Sequence, residues 1–304
     1  MHPRNRHKNG YDFDQLTQRW PQLEQYLIKN KKGKPTINFH DEQAVRCLNQ
    51  ALLLHHYTLD YWDIPAQYLC PAVPGRADYI HHLADLLAST NQGKVPRGNG
   101  IRCLDIGTGA NLIYPIVGSK ECGWSFVGSE VDEKALQSAQ AIIDQNPRLA
   151  PTLALRHQGN AKTILTGIIQ KGEFFDVVCC NPPFYSSAQE ARAENQRKRK
   201  GLGAPAKAKR NFGGQANELW YPGGERAFVA QLIQESSSYP TQCYWYTTLV
   251  AREASLKSLE KQLAQLPVTE QRIIPMAQGN KTSRILAWTF LNKKQRTAWQ
   301  GARW

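Results

Sequence analysis

Four consecutive residues, Asn181, Pro182, Pro183 and Phe184, bring together a side-chain amide, a stiff Pro-Pro step and an aromatic ring. They follow the apolar run 174–180, Phe-Phe-Asp-Val-Val-Cys-Cys, which reads as a buried parallel strand. In an open α/β sheet, ligands bind just beyond the carboxyl ends of the strands, so the tetrad falls where chemistry is expected. The chemistry that suits it is methylation of a planar amino nitrogen. The exocyclic nitrogen of adenine is a poor nucleophile, because its lone pair is delocalised into the ring. The amide oxygen of Asn181 can accept one N–H and the carbonyl of Pro182 the other, which favours a geometry that frees the lone pair. Phe184 offers a face on which the base can stack, worth roughly 1–3 kcal/mol. The prolines fix φ, so both acceptors are preorganised. Read alone, the tetrad also fits a Pro-rich turn with a core phenylalanine.

A second constellation narrows the choice. Residues 101–106 (Ile-Arg-Cys-Leu-Asp-Ile) read as a short strand, broken by Gly107-Thr108-Gly109 and followed by helix from Ala110 to Val117 despite Pro115. Strand, Gly-x-Gly turn and helix form the nucleotide-binding opening of a doubly wound fold. Leu112 stands where the dinucleotide fingerprint needs its third glycine, which counts against a nicotinamide or flavin cofactor. The next strand, 124–129, ends at Glu130, the position of a ribose-diol acceptor. Glu130 lies 25 residues past Asp105, close to the roughly 20 of that fingerprint. Asp105, just before the glycines, is placed to accept from the ammonium of S-adenosylmethionine. After a third strand, 152–157, comes the loop 158–163, where Asn160 or Thr163 could meet the cofactor's adenine ring.

The elements around these motifs predict a doubly wound α/β sheet with a helical N-terminal module. From Asp41, the residues Val45, Leu48 and Leu52 recur at helix spacing, with Asp41 as cap. After Pro65, Pro71 and Pro74, a second helix carries Tyr79, Ile80, Leu83, Leu86 and Leu87 on one face. Helices at 133–145, 225–237 and 256–266, a strand at 242–250 and a closing strand pair at 268–274 and 285–291 complete the pattern. This divides the chain into a basic arm plus helical RNA-binding module, 1–95, and a catalytic domain, 96–304, with a basic insertion at 186–222.

The 304 residues carry a net charge of +13 and a pI near 9.4, which calls for a polyanionic partner: nucleic acid first, an acidic membrane surface second. From Met1 to Lys34 there are eight Lys or Arg against three acids, either a solvated tail or an arm lying along phosphates. From Ser186 to Gly214 there are eight more against Glu190 and Glu194, centred on Arg197, Lys198, Arg199 and Lys200. That stretch reads as a segment that orders on a polyanion. No apolar run reaches the roughly 18 residues of a membrane span, and the N-terminus lacks a signal-peptide core. Seven cysteines without a C-x-x-C pair argue against disulfides and structural zinc, and fit a reducing cytoplasm. His55-His56 and His81-His82 have no ligand-like neighbours, so no metal is expected.

Asp105 to Pro115 (DIGTGANLIYP), Glu130 and the NPPF tetrad resemble the Rossmann-like N6-adenine methyltransferases. The opening His-Pro-Arg-Asn-Arg, the segments 39–46 and 73–81, Gly223-Gly224-Glu225, Gln278-Gly279 and Ala287-Trp288 narrow this. They resemble the bacterial 23S ribosomal RNA adenine-N6-methyltransferase F family and its eukaryotic methyltransferase-like-16 relatives, over nearly the whole chain. The resemblance implies a mostly parallel seven-stranded sheet whose last strand is antiparallel, S-adenosylmethionine as cofactor, and methylation of one 23S adenine, adenine 1618 if the family target holds. It implies a monomer acting in the cytoplasm on 23S RNA or a large-subunit precursor. By position, it assigns Arg76, Asp105, Gly107, Thr108, Gly109, Glu130, Thr163 and Asn181 to the cofactor and Asn181 to Phe184 to catalysis. It assigns Arg4 and Arg6 to RNA; Lys8 and Arg197 to Lys200 are RNA candidates by charge, since the basic loop after Tyr185 departs from the family's sequence. Methylation of another RNA, of DNA adenine or of a protein glutamine, and a non-catalytic RNA-binding scaffold, are the alternatives.

Overall fold

The computed structural model describes residues 1–190, 219–278 and 281–304. At the N-terminus, helix α1 (Phe13–Arg19) and a hairpin of β1 (Leu27–Lys29) and β2 (Pro35–Ile37) pack against helix α2 (Glu42–His56). Asp12 caps α1 and Asp41 caps α2, each accepting two backbone N–H groups of the first turn. Phe13, Leu16, Leu23, Ile37, Leu48 and Leu52 form the small core beneath them. The sequence pattern does not disclose α1 and the hairpin, because Gly10, Pro21, Gly33 and Pro35 look like breakers; here they fall at turns and element ends.

The first seven residues are neither tail nor free arm. His2, Asn5 and His7 are buried against α2 and helix α3 (Val73–Thr90). Asp78 on α3 accepts from the His2 backbone N–H (2.9 Å) and from the Asn5 amide (2.5 Å). Helix α3 shares a continuous core with the central sheet and with helix α4 (Ile113–Cys122) through Ala77, Tyr79, Ile80, Leu83 and Leu87. The N-terminal helices are therefore built onto the sheet, as their apolar faces require.

That sheet has seven strands: β3 (Arg102–Ile106), β4 (Ser125–Glu130), β5 (Leu153–His157), β6 (Phe175–Cys180), β7 (Cys243–Val250), β8 (Glu270–Gln278) and β9 (Lys281–Thr289). Their spatial order is β5-β4-β3-β6-β7-β9-β8. Only β9 runs against its neighbours. Helix α5 (Glu133–Asp144) lies with α3 and α4 on one face. Helices α6 (Gly224–Ser236) and α7 (Glu253–Leu263) cover the other. Pro115 sits in the first turn of α4, where its missing N–H has no intrahelical partner to lose. Between β3 and β6 the order of winding reverses. Such a switch point opens a crevice at the strand ends, here just past Ile106 and Cys180.

Helix α8 (Lys293–Arg303) lies beyond the predicted elements, although Asn292 and Gln295 make a capping box at its start. It closes the opposite end of the sheet. Asp176, fully buried at the start of β6, accepts from Trp299 Nε1 (2.6 Å), Trp304 Nε1 (2.7 Å), the Arg102 backbone N–H (2.8 Å) and the Arg303 guanidinium (3.0 Å). No helix among the described residues is long and apolar enough to cross a membrane.

Candidate active site

A cavity of about 600 Å³ opens at the switch point. The turn after β3, the end of β4, the loop after β5 and the tip of β6 all contribute to its wall. Gly107 and Gly109 both adopt left-handed backbone, at φ 70° and 64°. Their turn is pinned to β4: the N–H groups of Gly107 and Thr108 both donate to the Ser129 carbonyl, at 2.9 and 3.0 Å. Glu130 holds the same turn from its side chain, accepting from Gly109 N–H (3.0 Å), Val131 N–H (2.8 Å) and Asp132 N–H (3.1 Å). Burial raises the Glu130 carboxyl above its ordinary range, and these three N–H groups oppose the rise. Oε1 accepts two of these N–H groups and Oε2 only one, so Oε2 keeps acceptor capacity for a ribose hydroxyl.

Asp105 is buried at the end of β3, and burial pushes its carboxyl up to about 7, with the Glu130 charge adding to the rise and Arg76 opposing it. Its Oδ2 and the Thr108 hydroxyl have no hydrogen-bond partner. Arg76 reaches the cavity from α3 and donates to the Tyr114 hydroxyl at 2.9 Å, its guanidinium 5.5 Å from the ring centroid. Thr163 lines the cavity, but its hydroxyl closes a local turn by donating to Asn160 O at 3.1 Å. Asn160 braces that turn and does not line the wall.

The tip of β6 is held from behind. Thr247 on β7 donates to the Val178 carbonyl (2.9 Å), and the Tyr79 hydroxyl lies 2.8 Å from Thr247 Oγ1. The Cys180 N–H points at that same tyrosine oxygen, 3.4 Å away. Asn181 and Pro183 then line the cavity. Asn181 Oδ1 is buried and has no partner. Pro182 is buried, whereas Phe184 is half-buried and does not line the wall.

The aromatic wall comes from residues that sequence reasoning missed: Trp220, Tyr221 and Phe228. The chain leaving the tetrad pairs with the chain entering α6. Tyr185 N–H donates to Leu219 O, and Tyr221 N–H donates to Tyr185 O, each at 3.0 Å. Gly224, at φ 70°, lets α6 start against this ladder, for a Cβ there would meet Ser186 N at 3.4 Å. Glu225 ties the same corner to the end of β7 by accepting from Ala251 N–H at 2.7 Å. Gln231 and Glu235 on α6 brace the opposite loop: Gln231 donates to Lys162 O, and Glu235 accepts from Leu165 N–H at 2.7 Å. The dipeptide Trp220-Tyr221 before Gly-Gly-Glu was the available signal.

The RNA-assigned residues of the arm stand apart from this cavity. Arg4 donates to Asp85 (2.7 Å) and His81 O (3.1 Å), and Arg6 to Glu121 (2.6 Å) and His56 O (2.9 Å). Lys8 donates to Pro3 O at 2.5 Å. Arg197, Lys198, Arg199 and Lys200 lie outside the described residues.

A glycine turn braced by the acid of the next strand, opening on a cavity shared with an Asn-Pro-Pro-Phe strand tip, defines a Rossmann-like methyltransferase. Residues 1–292 match a family described as RNA methyltransferase. Proteins named ribosomal RNA large subunit methyltransferase F are similar over the whole chain. That of Yersinia enterocolitica is 47% identical over 100% of this chain and 92% of its own, and that of Serratia proteamaculans 49% identical over 100% and 91%. Among solved structures, the human Mettl16 catalytic domain in complex with the MAT2A 3'UTR hairpin 1 superposes with a TM-score of 0.80 at 32% identity, covering 96% of each chain. The N-terminal domain of human METTL16 in complex with SAH gives 0.75 at 29%, covering 96% of this chain and 99% of that one. The chain belongs to this RNA methyltransferase family.

Proposed function

We propose that the protein methylates the N6 nitrogen of one adenine in 23S ribosomal RNA, with S-adenosylmethionine as donor. The observation that carries the reading is the Asn181 amide oxygen, buried without a partner at the rim of the cavity that the glycine turn shares. The substrate class is supported by full-length relatives named for the large-subunit ribosomal RNA.

The residues present suit S-adenosylmethionine. Asp105 Oδ2 and the Thr108 hydroxyl are orphaned polar groups beside the glycine turn, suited to an ammonium and a polar neighbour. Arg76 would face the cofactor carboxylate, Glu130 the ribose, and Thr163 the adenine side of the pocket. When bound, the cofactor supplies a methyl group on a sulfonium and departs as S-adenosylhomocysteine.

Every other step falls to the chain. Asn181 Oδ1 accepts one N–H of the incoming amino group and the Pro182 carbonyl accepts the other. Held between them, the nitrogen presents its lone pair to the electrophile. Once the nitrogen is methylated, its N6 proton would leave to solvent, with Asn181 Oδ1 and the Pro182 carbonyl still holding the amino group. Tyr79 and Thr247 keep the strand tip fixed, so catalysis is positioning more than acid–base chemistry. The base itself must leave its stack to reach this depth. Trp220, Tyr221 and Phe228 give it a wall, with Phe184 at the outer edge.

The test supplies labelled S-adenosylmethionine to RNA, DNA and protein separately, followed by mass spectrometry of 23S RNA from a deletion strain and its complemented partner. N6-methyladenosine at one site, lost on deletion and restored on complementation, is the expected result. Label in DNA or protein alone would refute the RNA reading.

A further inference from the structure

We propose that Trp220 helps to recognise the target base: its indole N–H donates to the ring nitrogen beside the amino group that Asn181 holds. The inference rests on the N6-methylation reading and adds a residue that the tetrad does not contain.

Three observations converge on Trp220. The backbone ladder between Tyr185 and residues 219–221 fixes it immediately beside the tetrad's exit. Its side chain lines the same cavity as Asn181. Its Nε1 is shielded from solvent and has no acceptor among the described residues. A buried indole N–H usually finds a partner, because leaving it unpaired is unfavourable. Its neighbours on this wall are already engaged. The Tyr221 hydroxyl donates to Gln231, and the Gln231 amide donates to Lys162 O and to Glu235. Trp245 also leaves its N–H unpaired, but it lies beneath Arg272 and Arg296 and does not line the cavity.

Apart from the Thr108 hydroxyl on the glycine turn, the cavity is bordered by an orphan acceptor, Asn181 Oδ1, and an orphan donor, Trp220 Nε1. Adenine presents the complement: an amino donor flanked by an acceptor nitrogen, N1 on one edge and N7 on the other. Guanine and uracil put a carbonyl oxygen where the amino group should be. That oxygen would meet the Asn181 oxygen, acceptor against acceptor, and be rejected. The same indole also stacks, so Trp220→Phe separates the two roles: it keeps an aromatic face and removes the donor.

The experiment first maps the adenosine that the wild-type enzyme methylates in 23S RNA fragments. Synthetic RNA then carries 1-deazaadenosine or 7-deazaadenosine at that site. Wild type should lose about tenfold to a hundredfold in kcat/KM with one of the two analogues, the size of a lost hydrogen bond that strands a buried donor. Trp220→Phe should lose a similar factor on natural RNA and nothing further with that analogue. Calorimetry with S-adenosylhomocysteine should give the same affinity for both proteins. Wild-type activity unaffected by either analogue would overturn the inference without any variant. So would equal losses in wild type and Trp220→Phe with both. No methylation of any adenosine by wild type would instead overturn the N6 reading beneath it.

Discussion

Replacing Asn181 by alanine should separate stability from catalysis. In most buried settings, removing a polar side chain breaks a hydrogen bond and weakens the fold. Asn181 Oδ1 has no partner to lose. A buried acceptor left unpaired costs roughly 1–3 kcal/mol, so its removal should leave the melting temperature unchanged or raise it by a few degrees. Turnover should move the other way. Loss of one preorganised hydrogen-bonding group at the reacting centre costs on the order of 10²–10³ in rate, about 2.7–4 kcal/mol of transition-state stabilisation. The assay pairs calorimetric melting, with and without S-adenosylhomocysteine, with single-turnover transfer of labelled methyl to RNA. Cofactor affinity should change little, since Asp105, Thr108 and Glu130 remain. A variant that melts several degrees lower, or that keeps wild-type turnover, would refute the reasoning, because the amide would then be holding the fold or doing nothing.

Other expectations follow from the same geometry. Asp105 is held protonated up to about pH 7, against an ordinary value of 3.8. S-adenosylhomocysteine affinity should therefore rise between pH 6 and 8 as the carboxylate forms, and Asp105→Asn should flatten that profile in calorimetry. In the apoprotein the same group binds its proton more tightly folded than unfolded, so its contribution to stability falls as pH rises from about 4 to 7. His7 and the histidines of α2 and α3 near the buried N-terminal residues have the opposite sign. Burial lowers His7 to about 3 and His56 and His81 to about 4. Stability held by their neutral forms should be lost as pH falls from about 6.5 toward 4, seen as faster hydrogen exchange in residues 2–8 before the sheet exchanges. Lys29, Lys31, Lys32 and Lys34 are exposed on a hairpin turn that Asn30 braces by accepting from Lys32 N–H and Lys34 N–H, at 2.8 and 3.1 Å. Changing all four to glutamine should reduce the salt slope of RNA binding by about 0.7–0.9 for each phosphate they neutralise. Arg6→Gln, which breaks the Glu121 pair, should instead lower stability with little change in slope.

The sheet was legible because its central strands are largely apolar and the turn after β3 carries glycine. Residues 101–106, 124–130 and 174–180 announce themselves as buried strands, and Asp105, Glu130 and Asn181 stand at their ends. The seven strands and the single reversed one agree with that reading. Two kinds of feature were not legible. Helix α8 buries one tryptophan on an otherwise polar surface, so no apolar stripe marks it. Its reason for docking is the charge of Asp176, which lies more than a hundred residues away in sequence. The wall residues Trp220, Tyr221 and Phe228 are brought to Asn181 by a short backbone ladder across a long insertion, and ladder partners at that separation leave no local pattern. The strap residues are hard to read for a related reason. Arg4 and Arg6 look like free charge until Asp85 and Glu121 are placed beside them in space.

Strand β6 carries the Asn181 amide just past one end and the Asp176 carboxylate near the other, and the donors that quench this charge include Trp299, Arg303 and Trp304. A growing chain makes β6 well before helix α8, for Trp304 follows Asp176 by 128 residues. Until then the buried carboxylate at the root of the strand keeps the Arg102 N–H but lacks its side-chain donors. The strand that carries the Asn181 amide is therefore expected to reach its full rigidity only once helix α8 has docked against its far end.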